Sequence, residues 1–404
     1  MLGPRIRVAV LGGGFQGACI ALELAARGIR CDLYERNALC LAEASCHNHG
    51  KIHLGFGYGK DPSLETAKLM VRGALTFERS LQRWIGSTAS LTARSSFAYA
   101  VHKDSHVEAD AFEAHCVKVS ELLREATNGK GTDYFGSDVL QPADRMSRTE
   151  INAEFEREIV TGGVRTPEIA IDPEALAKLV RARLQSEPSI VLHAGRVVTS
   201  VKPADTGLTV ASKAGDAVSE ERYDFVVNTL GPGRFKVDAE LGLMPKRPWL
   251  YRFRYVLRAE ADPPQRLRST TIVSGPFGDI VSYGGGAVCL SWYPADLAAS
   301  SKDLTPPAIP VQLTGAKGAE LRDKVLKGLT AVVPDVARVT LSKPVIKGGW
   351  MVNWGAAGIE DPHSELHRPF TVGVHRHGPY VSVDTGRLTL VPLFAEQAVR
   401  LMEA

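Results

Sequence analysis

Three groups of side chains have types and spacings that suit chemistry. The first is Gly12, Gly14 and Gly17, with Phe15 and Gln16 between them. A G-x-G-x-x-G is a weak signal alone. Here it follows the strand-like run Ile6 to Leu11, opens an Ala/Leu-rich helical stretch that closes at Gly28, and precedes a second strand, Ile29 to Tyr34, ending at Glu35. That context predicts a βαβ dinucleotide site. Gly12 permits a tight turn, Gly14 lets a pyrophosphate approach the backbone, and Gly17 lets helix and strand pack closely while the helix N-terminus faces the anion. Glu35, with Arg36 beyond it, would hold an adenosine ribose and repel a 2′-phosphate.

The second group is histidine: His47, His49 and His53 lie within seven residues, and His375 and His377 within three. Only Cys46 lies close enough to extend a ligand set, so no metal is expected. His53 is then a candidate acid/base or substrate ligand, and the competing reading is an imidazole bonded to its own loop. The third group is Tyr251, Arg252, Arg254 and Tyr255. Alternation along a strand puts Arg252 and Arg254 on one face and Tyr251, Phe253 and Tyr255 on the other. A guanidinium pairs bidentately with a carboxylate, which makes these arginines a candidate clamp for a small anionic substrate; two solvated arginines on an outer face are the alternative. Tyr283, Trp292, Tyr293 and Arg376 are further candidates.

The elements that must position these groups follow from the whole chain. Its 404 residues exceed one ordinary domain and predict two. With 44% hydrophobic and 23% charged residues, collagen-like, disordered and coiled-coil classes are excluded. A net charge of +3 carries no chain-wide field for nucleic acid. The start, Met1 to Gly14, runs from a short basic stretch straight into a strand with no signal peptide, and no apolar run reaches the length of a membrane span. Six cysteines at scattered spacings without C-x-x-C read as reduced thiols, so a cytoplasmic location is expected. Asp61-Pro62-Ser63 caps a helix, Ser96 to Val101 reads as a strand, and Asp172-Pro173 opens the helix Glu174 to Gln185. From Pro248 to Pro294 the pattern changes to strands with turns, including a hairpin at Gly284-Gly285-Gly286.

Ala44-Ser45-Cys46-His47-Asn48-His49-Gly50-Lys51-Ile52-His53-Leu54-Gly55, followed by Pro62-Ser63-Leu64, Ala67-Lys68-Leu69 and Arg72-Gly73, resembles the segment after the second strand in the D-amino-acid-oxidase-like superfamily of FAD enzymes. The H-N-x-G-x-I-H-x-G core is most similar to L-2-hydroxyglutarate dehydrogenases. Val198 to Val201 resembles the strand whose backbone meets the adenine, Tyr223 to Gly231 resembles a flavin-side strand, and Asp384 to Thr389 resembles the last loop facing the flavin pyrimidine. The resemblance implies FAD as cofactor and a Rossmann-type, glutathione-reductase-like α/β domain interleaved with a β-sheet-rich α+β substrate domain. The expected division is 1–86, 146–240 and 345–404 for the cofactor and 87–145 and 241–344 for the substrate. It also implies cofactor contacts from Ser45, His47, Asn48, Gly50, Lys51, Ile52, Val198, Gly231, Gly386, Arg387, Leu388 and Thr389. His47 falls where dimethylglycine- and sarcosine-dehydrogenase-like relatives carry a covalently joined flavin, whereas L-2-hydroxyglutarate-type members have histidine there without an associated covalent bond, so His47 is expected to be a non-covalent neighbour of the cofactor.

The same residues make sense around a flat ring: Ser45 and Asn48 are short hydrogen-bonding side chains, and Phe56 and Tyr58 are walls for a dry hydride-transfer site. No second strand-G-x-G-x-x-G-helix unit occurs in the chain, so electrons are expected from the substrate itself, then to oxygen or another acceptor. The expected function is oxidation of a C–H bond next to an amine or hydroxyl of a small carboxylated substrate, with His53, Arg252, Arg254, Tyr283 and Arg376 at the reacting end. A 2-hydroxy-acid dehydrogenase of the L-2-hydroxyglutarate type and a non-redox flavin-binding protein or isomerase are the alternatives.

Overall fold

The computed structural model describes residues 6–91, 97–131 and 134–404. Met1–Arg5 and Ser96, the expected first residue of a strand, lie outside the described residues. The opening unit forms as its pattern requires. Strand Val8–Leu11 leads into helix Phe15–Ala26 and returns as strand Cys31–Glu35 beside it, in parallel register. The six-stranded sheet runs in the order Gly373–His377, Tyr380–Asp384, Phe225–Asn228, Val8–Leu11, Cys31–Glu35, Ile190–Ala194. All neighbours are parallel except the first pair. Parallel strands buried on both faces need apolar side chains throughout, and Val8–Leu11 is buried at every position.

One face is covered by helices Phe15–Ala26, Glu65–Ile85, Pro173–Ser186 and Val391–Glu403, which share a core with the sheet. The other face packs against a three-stranded antiparallel sheet, Val197–Pro203, Leu208–Ala214 and Ala217–Tyr223. Asp172 caps Pro173–Ser186 by accepting from Glu174 N, and Asp61 accepts from Thr66 N at the start of Glu65–Ile85.

The second architecture is a ten-stranded sheet in which Trp249–Asp262 is central, paired to Thr340–Trp354, Ala287–Trp292 and Leu297–Ser301. Helix Gly315–Val332 packs on it through a second core. The expected hairpin forms between Gly278–Gly284 and Ala287–Trp292. One strand of the expected cofactor part belongs to the large sheet, and another crosses an expected boundary. Val160–Thr166, within 146–240, pairs with Phe97–His102 in the large sheet, and Thr340–Trp354 runs through position 345. Gly348 and Gly349 sit within the strand Thr340–Trp354, where the sheet meets other backbone. A Cβ on Gly349 would lie 2.8 Å from Ala44, and one on Gly348 2.5 Å from the Arg254 carbonyl.

Among the described residues, no helix is long and apolar enough to cross a membrane. All six cysteines are free and buried.

Candidate active site

The loop after the second strand, residues 36–60, lies between the two architectures and is tied to both. His47 Nδ1 is 3.0 Å from the Gly348 carbonyl, His49 Nε2 is 2.9 Å from Ser291 Oγ, and the Lys51 ammonium meets Asp279 and Thr271. His53 N donates to Thr389 Oγ1 at 2.8 Å, joining this loop to the last one. A cavity of about 700 Å³ opens beneath. One end is lined by Glu35, Arg36, Asn37, Val197, Val198 and Thr199, the middle by Gly12, Gly14, Phe15, Gln16, Ser45 and Gly231, and the far end by Lys51, His53, Tyr58, Arg252, Arg254, Tyr293, Trp350 and Arg387.

The first two parts fit a long dinucleotide. Gly17 lies so close to the preceding turn that a Cβ there would sit 1.9 Å from the Gly12 carbonyl, whereas a Cβ on Gly14 would meet nothing nearer than Ser45 Oγ at 3.4 Å. Gly17 therefore serves helix–strand packing, and Gly14 faces open space where a pyrophosphate can approach. Ser45 Oγ accepts from Phe15 N at 2.8 Å at the helix N-terminus. Glu35 accepts from Gly13 N and Asn37 N at 2.9 and 2.8 Å, and burial raises its carboxyl above the ordinary value. Asn48 orders the loop, donating to the Ala44 and Ser45 carbonyls while accepting from Gly50 N. The last loop is fastened to the first helix, since Gln16 donates to the Val391 carbonyl and accepts from Thr385 Oγ1. Gly386 and Leu388 line the cavity from that loop.

The far end holds several charges. Arg252 and Arg254 both line the cavity while Tyr251, Phe253 and Tyr255 are buried in the core beneath. Arg254 is held by Asp296 through two hydrogen bonds, one from Nε at 2.7 Å, and its guanidinium lies 3.4 Å from the centre of the Tyr293 ring. Arg252 donates to the Ala357 carbonyl, its Nε is buried with no partner among the described residues, and burial lowers its guanidinium from the ordinary value. Arg387 donates to Tyr58 Oη and the Gly386 carbonyl, each at 3.3 Å, with no carboxylate partner among the described residues. Burial alone would raise the Asp279 carboxyl, but Lys51 overrides it and holds it well below the usual range. His49 is pushed down to about 4 by burial.

Several expected residues sit elsewhere. Arg376 is exposed on the edge strand Gly373–His377, donating to the Gly378 and Leu401 carbonyls and stacking on Phe225, because an edge strand turns this side chain away from the cavity. Tyr283 is outside the lining and lies under the Arg258 guanidinium, which bridges to Asp172. Trp292 packs against the core of the large sheet. Gly17, His47, Ile52 and Thr389 support the cavity from behind rather than lining it.

Glu168, Asp279 and Asp296 were not singled out in sequence. Glu168 stands between Pro167 and the short apolar run Ile169-Ala170-Ile171, with Asp172 just beyond, and shows no distinctive pattern. Asp279 and Asp296 likewise show no pattern of their own.

A Rossmann-type cofactor sheet, a large sheet over the reacting end and a glycine cradle leading into a charged pocket define a flavin-dependent oxidoreductase. Residues 7–351 match the DAO family, described as FAD dependent oxidoreductase, and the chain belongs to that family. Its cofactor is FAD. The FAD-dependent monooxygenase FPY4 of Fusarium mangiferae is 23% identical over 274 residues, covering 67% of this chain and 59% of that protein, so the chain spans less than two thirds of this relative. Glycine oxidase from Geobacillus kaustophilus has the same fold, with a TM-score of 0.70 at 15% identity over 98% of this chain and 95% of that one. Iminodiacetate oxidase from Chelativorans sp. BNC1 gives 0.67 at 13% over 98% and 95%.

Proposed function

We propose that the chain oxidises a C–H bond next to the amine or hydroxyl of a small carboxylated substrate, an amino acid or secondary amine. Bound FAD supplies the hydride acceptor and returns the electrons to oxygen or another acceptor. The observation that carries this reading is Arg252, a buried guanidinium facing the cavity with an unpartnered Nε. No carboxylate hydrogen-bonds this buried cation among the described residues, Glu360 acting on it only through space, and a substrate carboxylate would satisfy it. Arg387 stands ready as a second donor from the last loop. Tyr58, Tyr293 and Trp350 supply aromatic walls that exclude water from the reacting carbon. His53 lines the same space and would receive the proton that leaves the substrate's heteroatom.

A second reading, a 2-hydroxy-acid dehydrogenase of the L-2-hydroxyglutarate type, is favoured by the H-N-x-G-x-I-H-x-G segment together with an imidazole backed by a carboxylate, an arrangement suited to taking a hydroxyl proton. Anaerobic mixing of the holoprotein with amino acids, secondary amines and 2-hydroxy acids separates these readings. The expected result is flavin bleaching by carboxylated amines. Bleaching by hydroxy acids alone selects the second reading, and bleaching by none of them leaves a non-redox flavoprotein.

A further inference from the structure

Glu168 lies at the base of the reacting end, just before the short strand Ile169–Ala170, which pairs with Lys51–Ile52. Its side chain has no solvent exposure, and it does not line the cavity. Both oxygens are engaged: Oε1 is 3.0 Å from His53 Nδ1 and accepts from Tyr99 Oη, and Oε2 accepts from Leu54 N at 2.8 Å. His53 lines the cavity, and its Nε2 has no hydrogen bond among the described residues. Burial alone would raise the Glu168 carboxyl, but His53, Tyr99 and Lys51 outweigh it and keep the group below its ordinary value. An ionised carboxylate only accepts, so the His53 nitrogen facing it must carry hydrogen.

We propose that Glu168 is a positioning residue that holds His53 in the tautomer with hydrogen on Nδ1 and turns the Nε2 lone pair into the cavity, as proton acceptor from the substrate's N–H or O–H. The balance is complete: the substrate C–H leaves as hydride to the flavin, the heteroatom proton goes to Nε2, and the C–N or C–O bond becomes double. The imidazolium so formed is stabilised by the adjacent carboxylate, which itself stays ionised. Other groups close enough to act on the pair are Lys51, Tyr58 and Tyr99 on the cavity side and Cys116 and Tyr134 behind it. Of these, Lys51 is neutralised by Asp279. His49 is pushed down to about 4 and is neutral at working pH.

This inference rests on the oxidase reading above, and its test keeps the two apart. Glu168→Gln is the informative change. One amide oxygen cannot serve both His53 and Leu54 N, so the amide nitrogen faces Nδ1 and drives hydrogen onto Nε2, the wrong tautomer for accepting a proton. In the holoprotein, anaerobic flavin reduction by the best substrate should slow by about a hundredfold or more, with the substrate's half-saturating concentration changed less than about threefold and FAD content intact. The ionisation seen in the wild-type pH–rate profile should vanish, and Glu168→Asp should recover part of the rate. Wild-type reduction rates or an unchanged pH profile in Glu168→Gln overturn the proposal. Should that variant lose FAD, the tautomer is read directly by ¹⁵N NMR of histidine-labelled wild-type holoprotein: hydrogen on Nδ1 of His53 supports the proposal, and hydrogen on Nε2 overturns it. If no substrate bleaches the wild type, the oxidase reading fails, while the NMR result still decides the role of Glu168.

Discussion

Arg252 and Arg254 leave one face of one strand two residues apart, and their surroundings give them different chemistry. Arg254 meets Asp296 bidentately and stacks on Tyr293, so its charge is closed within the protein. Arg252, at 6% exposure, has one carbonyl and an unpartnered Nε, with its charge open to the cavity. The same division separates the two ends of the cavity. Around Glu35, Ser45 and Asn48, polar groups are satisfied by nearby backbone, which shapes a cradle. At the reacting end, satisfaction comes from residues far apart in the chain, such as Lys51 with Asp279 and His53 with Glu168. A residue closed within the protein maintains structure, and one left open is available to a ligand.

The sharpest way to break this comparison is to remove each arginine in turn. Arg254→Met leaves the Asp296 carboxyl, which burial already pushes up to about 6, without its partner and should cost about 3 kcal/mol of stability, read as a fall in the denaturant midpoint of the holoprotein. Arg252→Met should leave stability nearly unchanged and raise KM for the best acidic substrate by about a hundredfold, equivalent to about 2.7 kcal/mol. If the two phenotypes are exchanged, the assignment of structural and ligand-facing cations is reversed.

A smaller effect concerns pH. His49 moves from an ordinary value of 6.5 to about 4 on folding, so the unfolded chain binds the extra proton. Its contribution is present above pH 6.5 and is lost as pH falls, by about 2 kcal/mol between pH 7 and pH 5. Chemical denaturation at the two pH values measures this, and His49→Gln should flatten the difference; an equal slope in the variant would assign it to another group. The smallest effect is expected at Arg376. Being exposed on an edge strand, Arg376→Met should change KM less than about twofold, and a larger change in steady-state assays would bring that strand into the substrate site.

The nucleotide end was legible in sequence because its geometry is local. Gly12 to Gly17, Glu35 and the capping Asp172 lie within single strand–turn–helix units, where spacing alone dictates backbone shape. The alternation that puts Arg252 and Arg254 on one face is equally local, and both reach the cavity. Legibility ended where a side chain's direction depends on packing between distant strands. Arg376 and Tyr283 were expected at the reacting end, yet Arg376 is exposed on the edge strand Gly373–His377 and Tyr283 lies under the Arg258 guanidinium, outside the cavity lining.

By itself, the sequence determined the cofactor fold, the dinucleotide cradle and the candidate cations, since these depend on periodicities and contacts over a few residues. Only the tertiary structure decided which charges are neutralised. Asp296 reaches Arg254 across 42 residues, Glu168 reaches His53 across 115, and Asp279 reaches Lys51 across 228. Electrostatic pairing in a buried site falls off over a few ångströms of space and carries no trace of separation along the chain, so the partner that silences one arginine and leaves its neighbour open appears only once the sheets are folded.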